Sequence, residues 1–188
     1  MAEFFDDFDA PTDTPVAEDM AGPVGRVLVA DDDPVVQETL RIVLEGDFDV
    51  AIADSGERCL VAVAEAEPDL VLMDIEMPGI DGYETCRRLR ADYAMPVLFV
   101  SSHDTLEERL KAYDAGGDDF ISKPFDGDLL VRKAKRIVAM HAERTRLAEE
   151  KSSLQQMAMG FLKNMGETGV LLDFIRKGIA CLEYEDLA

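Results

Sequence analysis

Tryptophan is absent from this chain of 188 residues, histidine occurs twice and cysteine three times, while 40 Asp and Glu residues face only 19 Lys and Arg. Each shortage excludes something. Cys59, Cys86 and Cys181 are an odd number without metal-ligand spacing and sit in helix-like apolar patterns, so they predict buried reduced thiols and neither a disulfide framework nor a zinc site. His103 and His141 are isolated, which leaves no histidine cluster for a metal and no pattern for a histidine base. The formal net charge of -21 would repel a phosphate backbone, and the expectation is that this chain makes no direct contact with nucleic acid. No run approaches the roughly 20 apolar residues that span a bilayer, and the chain opens with neither a basic start nor a signal-like apolar stretch. The expected location is the cytoplasm, with no membrane partner.

What is present has three textures. Residues 1–25 carry seven acids without a basic partner and are broken by Pro11, Pro15, Gly22 and Pro23, the pattern of an acidic, disordered leader. From Arg26 onward, buried-strand runs alternate with helical periodicity. The strands are expected at Val27–Ala30, Val50–Ile52, Leu70–Met73, Val97–Val100 and Phe120–Ile121. Helical patterns begin near Pro34, Gly56, Gly82, Thr105 and Asp126. This alternation predicts an α/β fold with a five-stranded parallel sheet covered on both faces.

Functional sites in such sheets lie at the carboxyl ends of the strands, where strand order reverses. Read off at those ends are Asp31 and Asp32, Asp74, Ser101 and Lys123. Three converging carboxylates repel one another unless a cation sits among them, and hard oxygen ligands suit Mg2+ or Mn2+. A carboxylate beside such an ion can attack phosphorus, and the resulting acyl phosphate needs an ammonium and a hydroxyl near its oxygens. Lys123 and Ser101 supply them. Asp33, ahead of Pro34, is expected to cap the first helix, and Gly79 and Gly82 read as loop residues.

Four blocks carry a resemblance: Val27–Pro34 (VLVADDDP), Asp69–Gly82 (DLVLMDIEMPGIDG), Pro96–Ser102 (PVLFVSS) and Ala115–Phe125 (AGGDDFISKPF). Together they resemble the receiver domain of two-component response regulators, over roughly residues 26–141. The resemblance implies a flavodoxin-like doubly wound (βα)5 fold and a cytoplasmic phosphorelay switch. Asp74 would be the phosphorylated residue, and Asp31, Asp32, Asp74 and the backbone carbonyl of Glu76 would hold the metal. Lys123 and Ser101 would bind the phosphoryl group, Phe120 would be the switch aromatic, and the bond to Pro124 would be cis. The implied donor is a sensor histidine kinase or phosphotransfer protein, and the only chemistry implied is the chain's own phosphorylation and dephosphorylation.

One rival is a metal-dependent phosphatase with an aspartyl nucleophile, since Glu76 stands two residues after Asp74, where such enzymes place a second acid. A receiver fold that no longer takes phosphate is another, though all five site residues are present. Residues 142–188 read as a helical extension, a coiled-coil linker or the start of an output region. Met140, Leu147, Leu154 and Phe161 recur every seven residues beside a seam interrupted by Arg144 and Lys151. A homodimer through this helix and a helix packed on its own chain fit that pattern equally. Gly166 and Gly169 are expected to break the helix before a second one from Val170 to Leu182.

Overall fold

The computed structural model describes residues 22–185, with side chains described as far as residue 160. The acidic leader therefore lies, up to residue 21, outside the described residues, as do the side chains of Phe161 and Cys181. The elements alternate as β1 (Arg26–Ala30), α1 (Pro34–Leu44), β2 (Asp49–Ala53), α2 (Gly56–Glu65), β3 (Leu70–Met73), α3 (Gly82–Asp92), β4 (Val97–Ser101), α4 (Leu106–Asp114), β5 (Asp119–Ser122) and α5 (Gly127–Glu185). All strand pairs are parallel, in the order β2-β1-β3-β4-β5. This is the doubly wound α/β architecture that the alternation of strands and helices predicts.

Strand position follows from composition. β3 and β4 are buried at every residue and β1 at all but Arg26, as continuous apolar runs require, whereas the edge strand β2 is half open to solvent. Alternation along the strands sends Leu28, Ala30, Val71, Met73, Val97 and Phe99 to one face. There they meet Cys59 and Val63 of α2, Cys86 and Leu89 of α3 and Ala112 of α4. The residues in between belong to the other face, where Leu40, Leu44, Leu130 and Ala134 are buried from α1 and the start of α5. Burial pushes the thiols of Cys59 and Cys86 up to about 12 and about 11, so both stay protonated at neutral pH.

The helices start where the sequence places capping side chains. Asp33, Ser55, Asp81 and Thr105 each accept a backbone N–H from the first turn of α1, α2, α3 and α4, and such a cap typically contributes about 1 kcal/mol. Asp126 accepts from Leu129 at the start of α5 at 2.9 Å.

At the amino-terminal end of the sheet the charges are paired. Arg90 donates to the carbonyl of Gly116 at 2.7 Å, to that of Met95 at 2.6 Å and to Asp118 at 2.8 Å. Asp118 also accepts from the Val97 backbone at 2.9 Å, so one guanidinium ties α3 to the starts of β4 and β5. Gly116 has a φ of +98°, and a Cβ there would press on the Arg90 side chain, which accounts for glycine at this turn.

The chain divides into two compact units between Lys135 and Arg136. The second unit is helical as far as Glu185, so the expected break at Gly166 and Gly169 is corrected. A glycine costs a helix only about 1 kcal/mol relative to alanine, and no proline follows Pro124 to remove a backbone donor. Among the described residues, no helix is long and apolar enough to cross a membrane.

Candidate functional site

Backbone pairing carries the sheet one step past its strands and thereby aims the polar residues. Asp31 N donates to the Ala53 carbonyl at 3.1 Å, Asp74 N to the Ala30 carbonyl at 2.8 Å and Lys123 N to the Ser101 carbonyl at 2.7 Å. The ends of β1, β3, β4 and β5 therefore converge at the point where strand order reverses. Gly82 is needed here. A Cβ on it would collide with the carbonyl oxygen of Asp74, while its own N–H donates to the Ile75 carbonyl at 2.9 Å. The sequence reading started a helix near Gly82, as the structure has it, but took the glycine itself for a plain loop residue and missed that it lets α3 approach the backbone of Asp74.

Asp31 and Asp74 are buried, Asp32 is exposed, and one carboxylate oxygen from each lies within 4.8 Å of the others. Lys123 reaches across this group, donating to Asp31 Oδ2 at 2.6 Å and to Asp74 Oδ1 at 3.0 Å. Burial, the largest influence on Asp74, raises its carboxyl above the ordinary range, and the lysine offsets this only in part. For Lys123 burial works against the charge, yet hydrogen bonds to the two carboxylates outweigh it and leave its pKa raised. One ammonium thus stands among three carboxylates and is bonded to two of them. The remaining negative charge and the hard oxygen donors fit a small divalent cation, with Asp31, Asp32 and Asp74 as its side-chain ligands.

The surrounding residues divide into supports and candidates. Gln37 donates to the Asp31 carbonyl at 2.5 Å, and Asp33 N donates to Asp31 Oδ1 at 3.0 Å. Asp33 itself caps α1 through Val35 at 2.8 Å, as its place before Pro34 predicts. The support from Gln37 had no sequence signal, because it needs the first turn of α1 folded over the β1 end. Ser101 is buried and its Oγ accepts from His103 N at 3.2 Å. Glu76 turns its carboxylate outward, 3.6 Å from Nδ1 of His103. Phe120 is buried, and its ring centroid lies 5.2 Å from the guanidinium carbon of Arg109, which also pairs with Asp104. The Lys123–Pro124 bond is cis.

The site can hold a cation, bring a desolvated carboxylate beside it and place an ammonium and a hydroxyl around it. Comparisons with known proteins show the family. A family model described as the response regulator receiver domain matches residues 27–135. The DNA-binding response regulator MtrA of Mycolicibacterium smegmatis is 40% identical over 126 residues, covering 66% of this chain and 52% of that protein. The response regulator MprA of Mycolicibacterium vanbaalenii is 37% identical, covering 60% of this chain and 50% of its own. Among solved structures, a putative response regulator from Chloroflexus aurantiacus is 34% identical with a TM-score of 0.59, covering 63% of this chain and 99% of its own. The BeF3-activated receiver domain of Klebsiella pneumoniae RstA is 30% identical with a TM-score of 0.58, covering 60% and 97%.

The chain spans about half the length of the curated relatives it matches. The expectation of no nucleic-acid contact is corrected by these relatives, because MtrA is a DNA-binding regulator. The charge argument does not decide the matter, for a physical reason. Net charge sums over a whole surface, whereas contact with DNA is decided by one local patch.

Proposed function

The chain belongs to the response regulator receiver family, and we propose that Asp74 is the residue by which it takes part in phosphorelay signalling. The donor in this reading is a sensor histidine kinase or a phosphotransfer protein. One observation carries the assignment: Asp74 is a carboxylate at 8% exposure, at the end of the central strand β3, held between Lys123 and two further acids.

In the proposed reaction a carboxylate oxygen of Asp74 forms a bond to phosphorus as the bond from phosphorus to the donor's imidazole nitrogen breaks. The electron pair leaves with that nitrogen, which then takes up a proton. Asp31, Asp32, Asp74 and the backbone carbonyl of Glu76 would hold a divalent cation, Mg2+ or Mn2+, which would supply positive charge against the phosphoryl oxygens. Lys123 keeps its bond to Asp31 and passes its bond on Asp74 to a phosphoryl oxygen, while the Ser101 hydroxyl donates to another. Both shifts pull on the ends of β4 and β5, and Phe120, buried on β5 beneath Arg109, is the side chain that registers them. The chain's chemistry is limited to gaining and losing its own phosphoryl group.

The receiver in this reading takes residues 26–141, with the acidic leader before it and the helical extension 142–188 after it. DNA enters as the target of the regulator, by its likeness to MtrA. The cytoplasm, where a histidine kinase domain would meet it, is the proposed location. The phosphatase alternative has no support, since the family and its relatives are regulators and the Glu76 carboxylate faces solvent beside His103.

Incubation with acetyl phosphate and Mg2+ should add one phosphoryl group by intact mass, and Asp74→Asn should abolish the addition. Equal labelling of the variant would move the site elsewhere.

A further inference from the structure

The second unit holds an apolar stripe that nothing on its own helix covers. Met140, Leu147 and Leu154 are 45%, 52% and 60% exposed, and every residue from 142 to 160 is exposed. Helices gain most of their stability from packing an apolar face, so a bare one of this length lacks its main source of stability. The stripe is also regular. With these three at one core position of a heptad repeat, Arg144, Lys151 and Ala158 occupy the other. The same two positions continue in the sequence to Ile179 and Leu182, with Thr168 the only polar member after Lys151. That is well beyond the three to four heptads that distinguish a coiled coil from chance.

The surface shape agrees. A shallow depression is lined by Leu147, Glu150, Lys151, Leu154, Gln155 and Ala158. In a parallel two-stranded coil each core side chain enters a hole made by four residues of the facing helix. Leu147, Glu150, Lys151 and Leu154 make one such hole, and Lys151, Leu154, Gln155 and Ala158 make the next. The first is the hole that receives the facing helix's residue at the position of Lys151.

Charge then selects the occupant. In a parallel, in-register pair of this chain, the residue at position 151 of one copy meets Glu150 of the other, and position 144 meets Glu143. Each cation that interrupts the seam is preceded in sequence by the acid that its counterpart would meet. Glu143 is at present shared with Arg146 of its own helix at 2.9 Å. We propose that this helix is a docking surface for a second copy of the same chain, joined as a parallel, in-register coiled coil centred on Leu147 to Ala158. The two cations make the pairing weaker than a fully apolar seam would and fix its direction, because an antiparallel partner would not bring Glu143 and Glu150 to them.

Sedimentation of the full chain over a range of concentrations tests this. The chain should dimerise, and Leu147→Glu with Leu154→Glu should be monomeric while keeping the circular dichroism and acetyl phosphate labelling of a folded receiver. Glu143→Lys with Glu150→Lys should weaken the dimer by about tenfold or more. Adding Arg144→Glu and Lys151→Glu to that variant should restore it. A chain that stays monomeric at its highest soluble concentration would overturn the proposal. So would a dimer that survives the double glutamate variant, or one that ignores the charge reversal.

Discussion

At the amino-terminal end of the sheet Arg90 has three acceptors waiting for it, and Arg26 pairs with Asp49 at 3.2 Å. At the carboxyl end Lys123 is one ammonium among Asp31, Asp32 and Asp74. The strands and their order are common to both ends, so the difference lies in the loops. Where charges balance, the side chains hold the loops together and nothing further is needed. Where they do not, two buried carboxylates share one ammonium, and a bound cation would relieve the negative charge that remains. The comparison separates a structural cluster from a reactive one without reference to either cluster's size.

If that separation holds, breaking the balanced end should damage the fold and spare the chemistry. Arg90→Ala should lower stability by about 2 to 3 kcal/mol, the usual cost of removing a charged donor from several half-buried acceptors. Labelling of the folded fraction at Asp74 should be unchanged. Denaturant melts run beside intact-mass labelling would check this, and a labelling defect at full folding would blur the two ends. At the other end Asp32→Ala should spare the fold, since the residue is exposed, and weaken Mg2+ binding by about tenfold, equivalent to ~1.4 kcal/mol. Calorimetric titration giving the wild-type affinity would place the ion away from Asp32.

The smallest effect has an unusual sign. The pKa of Asp74 is raised in the folded chain, chiefly by burial, so the folded state binds its proton more tightly than the unfolded state does. Between the unfolded and the raised folded value, stability of the metal-free protein should therefore fall as pH rises, and above both values the whole penalty remains. Asp74→Asn should remove that slope. In EDTA at neutral pH the variant should melt a few degrees higher, a gain of about 1 kcal/mol, and saturating Mg2+ should close the gap. A variant that melts lower in EDTA would mean that the bond from Lys123 outweighs the burial of Asp74.

Much of this was legible before any coordinates. Apolar runs gave all five strands, and Asp31, Asp32, Asp74, Ser101 and Lys123 each stood at a strand end where a parallel sheet collects its ligands. What escaped was made of contacts distant in sequence. Arg90 gave no sign that it would reach Gly116 and Asp118, because a basic residue near a helix end has a sufficient local reason to be there. Gly82 looked like any loop glycine until α3 was seen against the carbonyl of Asp74. Gly166 and Gly169 misled in the other direction, since the break expected there rested on local propensity alone and the helix runs through both.

Chemical trapping of the phosphorylated chain tests the central claim most directly. Treatment with acetyl phosphate and Mg2+, followed by borohydride, reduces an aspartyl phosphate to homoserine at the residue that carried it, and peptide mass mapping then finds the position. The account predicts homoserine at position 74 alone, formed only when Mg2+ or Mn2+ is present. Homoserine at position 31 or 32, or trapping at position 74 that is undiminished in EDTA, would contradict it.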